Sequence, residues 1–324
     1  MAPSHALERL QDLEPTTAQF RAAVLDGLAQ HRKRLPCKFF YDAEGSRLFD
    51  AICDLPEYYP TRTECRVLDA RARDIAELLG RRVRLVEFGS GAGYKVRLLL
   101  RTLVEPAAYV PVDISRSQLL SAATSLARDF PALHIAPVCA DYTQPFSLPL
   151  STQKVALATA GFFPGSTIGN FNPEQAWAFL AQARRMLGRG AWMIVGVDVH
   201  KDSAVLNAAY NDAAGVTAAF NLNLLRRINR ELDGTFDLAA FRHHAFYNEA
   251  ERRIEMHLIS LRDQTVHVGD KAFAFVAGET IHTEDSYKYD IADFQRLATG
   301  AGFEPVAAWT DPEALFAIHV LRAG

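Results

Sequence analysis

Between residues 66 and 200, short apolar runs alternate with segments in which apolar residues recur every three or four positions. The apolar runs predict β-strands, at 82–88, 107–115, 133–141, 154–163 and 191–199. The helical spacing predicts α-helices, at 95–104, 116–130 and 172–188. Asn172 and Pro173 are typical of the N-cap and first turn of the last of these helices. Strands separated by helices of this length predict a parallel, doubly wound sheet with right-handed crossovers.

The pattern changes after the fifth predicted strand. Residues 201–234 predict a long helical stretch that Gly215 interrupts, with Asp202 as its N-cap. Residues 252–261 and 271–276 alternate apolar with polar side chains, which is typical of strands with one buried face. This mixture predicts an α+β insert.

The C-terminal part of the chain predicts a helix at 290–303 and two strand-like runs at 304–311 and 315–323, which return the chain to the first sheet. We therefore expect an α/β protein with two domains. The expected domains are, in order, a doubly wound domain of residues 61–200 plus 288–324 and an α+β domain of residues 1–60 plus 201–287.

Composition and charge narrow the class of ligand. The chain has 324 residues, 49% of them hydrophobic, which is ordinary for globular domains with real cores. The formal net charge of −3 and the pI near 6.4 give no broad basic surface, so nucleic acid is not an expected partner. A small-molecule substrate fits this balance better.

The sequence predicts no metal site, disulfide framework or membrane segment. The four cysteines form no C-x-x-C pair and have no histidines at zinc-ligand spacing; they are Cys37, Cys53, Cys65 and Cys139. The His243–His244 pair has no carboxylate at ligand spacing, so we expect an exposed or capping role for it. The N-terminus lacks the apolar region of a signal peptide and no run reaches about 18 apolar residues, so we expect a soluble, cytoplasmic protein.

The segment EFGSGAGYK at 87–95 joins the first predicted strand of the sheet to its helix. Its glycines follow the spacing G-x-G-x-G, and Tyr94 occupies the position of the third glycine in the dinucleotide-binding fingerprint. The acidic Glu87 precedes the glycines. No Lys-Ser or Lys-Thr pair follows them, so the segment does not predict a triphosphate-binding loop.

Two further acidic residues end the next two predicted strands. Asp113 lies where a carboxylate accepts hydrogen bonds from ribose hydroxyls, which suits both NAD and S-adenosylmethionine. Asp141, followed by Tyr142, ends the third strand, where it is placed to meet an adenine amino group. Together with Glu87, these two acids favour a class I S-adenosylmethionine site.

S-adenosylmethionine has no phosphates, so the glycine turn needs only to let the methionine portion lie against the backbone. The carboxylate of that portion would lie near the helix N-terminus or near Lys95. The expected cofactor-binding residues are Glu87, Gly89, Gly91, Lys95, Asp113, Asp141 and Tyr142.

Five segments carry a resemblance that covers almost the whole chain in order. They are KFFYDAEGSRLFDAICDLPEYYPTRTE at 38–64, EFGSGAGYK at 87–95, FFPGSTIGNF at 162–171, AAYNDAAGVTAAFNLNLL at 208–225 and IHTEDSYKY at 281–289. In these segments the sequence resembles the histidine-specific Nα-methyltransferases of ergothioneine biosynthesis. The resemblance implies a Rossmann-like methyltransferase domain with a substrate-binding domain, and three methyl transfers from S-adenosylmethionine to the α-amino group of L-histidine, giving hercynine. It also implies a monomer.

The same resemblance implies which residues hold the α-amino and carboxylate groups of the substrate. Asn170 would hold both groups, Gly165 and Thr167 would shape the same loop, and Tyr58 and Tyr210 would contact the carboxylate. Methyl transfer needs an amine lone pair aligned with the sulfur–carbon bond rather than strong acid or base catalysis. An amide with one acceptor and one donor group suits that task, although Asn170 equally suits a turn cap.

The imidazole side of the substrate needs polar partners, because a site built around N–H groups rejects analogues that lack them. Glu284 and Ser286 lie two apart in an extended stretch, so both side chains share one face. Tyr41 would complete this group by resemblance, and Met256 matches the family position that helps to select histidine. From the residues alone, Glu284 also fits an exposed acid and Met256 a core residue.

Three alternatives remain open from the sequence. The first is a methyltransferase of the same build that acts on another amino acid, such as tyrosine or tryptophan. The second is a protein that binds S-adenosylmethionine without turnover. The third, more remote, is an NAD-dependent dehydrogenase.

Overall fold

The computed structural model describes residues 7–149 and 155–324. Within these ranges the α-helices are α1 (Thr17–Ala29), α2 (Ala43–Cys53), α3 (Tyr59–Leu79), α4 (Tyr94–Leu100), α5 (Arg116–Asp129), α6 (Pro173–Leu187), α7 (Ser203–Tyr210), α8 (Val216–Leu232) and α9 (Ile291–Gly300). Short 3-10 helices cover Cys37–Phe40, Thr167–Asn170 and Leu238–Ala240. The β-strands are β1 (Gln11–Leu13), β2 (Val83–Phe88), β3 (Ala108–Asp113), β4 (Val138–Ala140), β5 (Ala158–Phe163), β6 (Trp192–Asp198), β7 (Phe241–Asn248), β8 (Arg253–Ser260), β9 (Gln264–Val268), β10 (Lys271–Phe275), β11 (Thr280–Tyr287), β12 (Phe303–Thr310) and β13 (Phe316–Ala323).

The first compact unit comprises Met1–Glu14, Pro60–His200 and Lys288–Gly324. It holds an eight-stranded sheet in the order β1-β4-β3-β2-β5-β6-β13-β12. Neighbouring strands pair in parallel from β1 to β6, whereas β13 pairs antiparallel with both β6 and β12. The doubly wound α/β class that the sequence predicted is confirmed, and the C-terminal hairpin returns the chain to this sheet.

Helices cover both faces of the large sheet. Consecutive strand residues point to opposite faces, and in β5 Phe162 belongs to one buried cluster while Phe163 belongs to the other. Helices α6 and α9 contribute to the cluster of Phe163, and α3 and α4 contribute to the cluster of Phe162. Because both faces are buried, the parallel strands inside the sheet are largely apolar runs, which is why the sequence pattern located them.

The second compact unit comprises Pro15–Tyr59 and Lys201–Tyr287 and mixes helices with small antiparallel sheets. One sheet has the order β11-β8-β7, and β9 and β10 form a two-stranded pair. The predicted break in the helical stretch separates α7 from α8, and Gly215 is the N-cap of α8 with a φ of 72°. Asp202 caps the start of α7, as predicted, by accepting from the Ala204 N–H at 2.7 Å. None of the helices in the described parts of the chain combines the length and apolar character that a membrane span requires.

Several boundaries differ from the sequence prediction, among them that of the strand predicted at 133–141, which covers only Val138–Ala140. Strand β1 pairs in parallel with β4, so the segment up to Glu14 clusters with the first unit and not with the second. This three-residue, mostly polar strand is too short to carry a periodic signal. Helix α4 ends at Leu100 rather than at 104, and the strand predicted at 154–163 starts at Ala158, with residue 154 outside the described residues.

A buried ion pair lies at the carboxyl end of β6. The Lys288 Nζ lies 2.7 Å from the Asp198 Oδ2, and the two side chains are 0% and 1% exposed. The residues that follow these two in the chain, Val199 and Tyr289, are joined by a parallel β-bridge. A charge removed from water in this way must be paired, because the interior does not solvate it.

We expect Lys288→Met to lower the free energy of unfolding by about 3–5 kcal/mol, because it leaves the Asp198 carboxylate buried without its cation. Chemical denaturation measures this loss. Lys271→Met is the matched control, since that ammonium is 62% exposed and lies 3.6 Å from Asp270, so its loss should cost roughly 0–1 kcal/mol. Equal costs for the two variants would contradict the importance of the buried pair.

Candidate cofactor and amino-acid sites

The glycine turn after β2 depends on backbone conformation. Gly89, Gly91 and Gly93 have φ values of 75°, 48° and 69°, a region that residues with a Cβ rarely adopt. A Cβ placed on Gly91 would meet nothing within 4 Å, so the requirement there is conformational rather than steric. Tyr94, the first residue of α4, is 77% exposed.

Asp113 lies beside the glycine turn, as the sequence predicted. Strands β2 and β3 are parallel neighbours, so their carboxyl ends meet at one edge of the sheet. The Asp113 Oδ2 accepts from the Gly91 N–H at 2.9 Å, and its Oδ1 accepts from the Ser115 N–H at 2.9 Å. Burial raises the pKa of Asp113, while these backbone donors favour the carboxylate. The acid therefore fixes the turn as well as the strand end.

Glu87 is buried beneath the turn. It is 1% exposed and accepts a hydrogen bond from the phenol of Tyr109, which is fully buried. Burial raises the pKa of Glu87 to about 8, although the Tyr109 hydrogen bond and the charge of Lys95 oppose this shift. This pKa predicts that the carboxyl is mostly protonated at neutral pH.

Asp141 and Tyr142 follow β4, next to β3 in the sheet. The Asp141 Oδ1 accepts from both the backbone N–H and the hydroxyl of Thr143, at 2.9 and 2.6 Å. The ring of Tyr142 packs against Phe163, with ring centroids 5.6 Å apart. The three strand ends that the sequence singled out thus lie on neighbouring strands of one sheet.

Glu64 is a buried acid that the sequence analysis missed. Its Oε2 lies 2.6 Å from the Lys95 Nζ, and both carboxylate oxygens lie 2.9 Å from the Gly165 N–H. A Cβ at Gly196 would lie 2.1 Å from the Glu64 Oε1, so that glycine makes room for the carboxylate. Glu64 ends the segment 38–64 that carries the resemblance, but it lies on α3 among other polar residues, and its spacing gave no reason to assign it a role.

The loop after β5 holds three of the expected site residues. Gly165 has a φ of 78°, and the Thr167 hydroxyl donates to the Pro164 carbonyl at 2.8 Å. Asn170 ends the short 3-10 helix, and none of the described residues hydrogen-bonds its side-chain amide. The cap of α6 is instead Asn172, which accepts from the Gln175 N–H. The turn-cap alternative for Asn170 is therefore wrong.

The second unit brings together Tyr58, Tyr210, Met256, Glu284 and Ser286 of the residues expected to contact the amino acid, whereas Asn170 belongs to the first unit. The Tyr210 hydroxyl donates to the Ser286 Oγ at 2.8 Å, and the rings of Tyr58 and Tyr210 meet edge to face with centroids 6.3 Å apart. Glu284 and Met256 are directly opposite on β11 and β8. Burial raises the pKa of Tyr58 well above its ordinary value, and the neighbouring Tyr210 and Glu284 add to this shift.

Tyr41 belongs to an aromatic group in the same unit. Its ring centroid lies 5.7 Å from that of Phe49 and 5.8 Å from that of Phe220. Phe49 in turn contacts Tyr58 edge to face at 6.3 Å. Such edge-to-face contacts add to the stability gained from burying the rings, so they hold Tyr41 and Tyr58 in a defined arrangement.

The two adjacent histidines differ in environment. Both lie on β7, which the sequence did not predict. His244 is exposed, whereas His243 is half-buried, with its Nε2 at 2.9 Å from the Tyr210 carbonyl oxygen and its Nδ1 at 2.9 Å from the Asn221 Nδ2. The expectation of an exposed or capping role is confirmed, since His244 is exposed and His243 donates to the carbonyl of the last residue of α7, which links strand to helix inside the unit.

Two groups of potential metal ligands lie in the described parts of the chain, Asp12 with Glu14 and Cys139, and a group with two histidines on the three-stranded sheet. Glu255, His257 and His282 offer ligand atoms within 4.8 Å of one another. The Arg253 guanidinium, however, already donates to the Glu255 carboxylate at 2.7 and 2.9 Å. A cation would compete with this guanidinium for the same carboxylate. The absence of a metal stays a prediction.

The doubly wound sheet, the glycine turn and its acidic partners define a class I S-adenosylmethionine-dependent methyltransferase. Residues 20–323 match the family model described as histidine-specific methyltransferase, SAM-dependent. The chain belongs to this family.

Individual relatives agree with the family match. The histidine N-alpha-methyltransferase of Mycolicibacterium smegmatis is 40% identical over 306 residues, covering 93% of this chain and 94% of that protein. Ergothioneine biosynthesis protein 1 of Neurospora crassa is 30% identical over 298 residues, covering 86% of this chain and 32% of that protein. Among solved structures, the CcbJ methyltransferase of Streptomyces caelestis aligns with a TM-score of 0.46 and 16% identity, covering 79% of this chain and 95% of that chain.

The pKa of Glu87 predicts a pH-dependent contribution to stability in the ligand-free protein. A glutamate ionises near 4.5 in the unfolded chain but near 8 at this position. Between these values the folded state binds more protons, so stability should fall as pH rises. Relative to Glu87→Gln, the unmodified protein should therefore lose stability from pH 5 to pH 8 in urea denaturation.

Glu44→Gln is the control for this experiment. The Arg47 guanidinium donates to the Glu44 carboxylate at 2.7 and 2.9 Å and lowers its pKa from the ordinary value of 4.5. That carboxylate is ionised in both states above pH 5, so this variant should differ from the unmodified protein by a constant amount. A constant difference for Glu87→Gln as well would refute the raised pKa.

Proposed function

We propose that this protein transfers three methyl groups from S-adenosylmethionine to the α-amino group of L-histidine, giving hercynine, as a step of ergothioneine biosynthesis. The observation that carries the proposal is the group formed by Tyr58, Tyr210, Ser286, Glu284 and Met256 in the second unit. It combines carboxylate-binding phenols with an acid and a hydroxyl suited to an imidazole. The family match supports the same substrate.

We assign cofactor binding to the carboxyl edge of the large sheet. Asp113 would accept hydrogen bonds from the ribose hydroxyls, and Asp141 beside Tyr142 would meet the adenine, since both acids end adjacent strands. Gly89 and Gly91 allow the close backbone approach that the methionine portion requires. When bound, S-adenosylmethionine supplies an electrophilic methyl group on a sulfonium.

We assign a positioning role toward the cofactor to the ion pair of Lys95 and Glu64. The Lys95 ammonium is 17% exposed and would bind the cofactor carboxylate. Glu64 limits the freedom of that lysine and also anchors the Gly165 N–H. Glu87, buried beside them, would remain protonated until a ligand ammonium or a rise in pH changes its surroundings.

Asn170 is assigned the α-amino group and the carboxylate of the substrate. Its amide has both an acceptor and two donor hydrogens, and no described residue uses them. An acceptor that holds the amine in line with the methyl group converts a bimolecular encounter into an oriented one. Gly165 and Thr167 shape the loop that presents this amide, and Tyr58 and Tyr210 would contact the carboxylate.

The imidazole is assigned to Glu284, Ser286 and Tyr41. A carboxylate accepts from a ring N–H, and a neighbouring hydroxyl can either donate to or accept from the second ring nitrogen. Amino acids without ring N–H groups would leave these polar groups unpaired, which disfavours them strongly. Met256 lies on the same face of the sheet as Glu284, and its side chain would limit the shape of the ring that fits there. A cytoplasmic monomer that needs neither metal nor nucleic acid remains our expectation.

Incubation with S-adenosylmethionine and a mixture of the twenty amino acids should convert histidine alone. The product should carry three methylene increments in mass, and S-adenosylhomocysteine should be released only when histidine is present. Methylated tyrosine or tryptophan would instead identify a methyltransferase of the same build that acts on another amino acid. Binding of S-adenosylhomocysteine without any methylated product would instead indicate a protein that has lost turnover.

Two size-conserving variants should separate the cofactor site from the amino-acid site. Asp113→Asn should weaken S-adenosylhomocysteine binding roughly tenfold or more, because a charged acceptor is lost. Glu284→Gln should raise the KM for histidine roughly 10- to 100-fold and leave cofactor affinity unchanged. Calorimetric titration and steady-state kinetics measure the two effects. An equal loss of cofactor affinity in both variants would contradict the assignment.

A further inference from the structure

Strand β11 contains one residue more than its partner β8 requires. His282 pairs with His257, but Glu284 pairs with Met256, so the register shifts between His282 and Glu284. Thr283 is the additional residue of this β-bulge. Bulges of this kind re-aim the side chains that follow them.

The bulge decides which face of the sheet Glu284 occupies. In an uninterrupted ladder, the residue two beyond His282 would pair with Glu255, on the face opposite to Met256. A one-residue slip moves every following side chain to the other face of a strand. With the bulge, Glu284 lies opposite Met256 and Ser286 lies opposite Ile254, so both polar groups face the side assigned to the amino acid.

Two buried side chains hold the bulge in place. The Thr283 hydroxyl lies 2.8 Å from the Asn221 Oδ1 and 3.1 Å from the Met256 carbonyl oxygen. Thr283 is 1% exposed and Asn221, on α8, is 0% exposed. A buried acceptor that loses its donor costs more than an average hydrogen bond contributes. The helix therefore fixes the position of the additional residue.

The amide of Asn221 extends this connection to Tyr210. Its Nδ2 donates to the His257 carbonyl at 3.1 Å and to the His243 Nδ1 at 2.9 Å. Because this Nδ1 accepts, the proton of the neutral His243 ring is on Nε2, which donates to the Tyr210 carbonyl at 2.9 Å. The Tyr210 hydroxyl in turn donates to Ser286. Every polar atom of the Asn221 amide has a partner.

We propose that Thr283 and Asn221 are positioning residues that set the amino-acid selectivity of the enzyme, by holding the bulge that turns Glu284 and Ser286 toward the face of Met256. This inference rests on the proposed function. Neither residue would touch the substrate; both act through Glu284, and through Tyr210 by way of His243.

The test is Thr283→Val, which removes the hydroxyl and keeps the shape of the side chain. We expect the KM for histidine to rise roughly tenfold with kcat changed less than about twofold, and tyrosine or tryptophan to be discriminated less strongly. The affinity for S-adenosylhomocysteine should not change. Thr283→Ser, which restores the donor, should return the KM to within about twofold of the unmodified enzyme.

Thr280→Val is the matched control, a half-buried threonine on the same strand before the bulge, and it should leave KM and selectivity unchanged. If Thr283→Val does not fold, Thr283→Ala replaces it with the same expected results. An unchanged KM in an active enzyme overturns the inference. So does an equal loss of histidine and cofactor affinity, since that indicates a structural role only. If the unmodified protein releases no S-adenosylhomocysteine with histidine, the proposed function itself fails.

Discussion

The parallel pairing of β2 with its neighbours is the constraint on which the first unit depends. Parallel strands end at the same edge of a sheet, so the residues that follow β2, β3, β4 and β5 meet there however far apart they lie in the chain. The hydrogen bond from Gly91 to Asp113 is a direct result of this pairing. The cofactor site that we propose therefore depends on the order of the strands more than on any one residue.

Buried polar groups then fix the details that strand order leaves free. In the first unit, Glu64 joins the Lys95 ammonium to the Gly165 N–H. In the second unit, Asn221 joins Thr283 to His243 with each of its polar atoms satisfied. Such groups are costly to bury unless all partners are present, so each network permits few alternative arrangements. The loops and the strand bulge are thereby held in defined positions.

The accuracy of the sequence predictions follows the strength of the hydrophobic signal. The strands inside the large sheet were located because burial on both faces makes them largely apolar runs. The edge strand β1 and the half-exposed strand β7 were missed, because neither has a clear apolar pattern. Helix α4 was predicted too long, since the apolar spacing continues to the buried Leu103 beyond the last helical residue.

The sequence by itself determined the class of fold, the glycine turn and the acids at the strand ends, because local periodicity and position relative to a strand are enough to indicate them. Its long motifs also indicated the family. Only the tertiary structure decided that Glu64 pairs with Lys95, that His243 is an internal link, and that a bulge at Thr283 turns Glu284 toward Met256. These features depend on contacts between residues distant in the chain and on a one-residue change of register, neither of which leaves a periodic trace in the sequence.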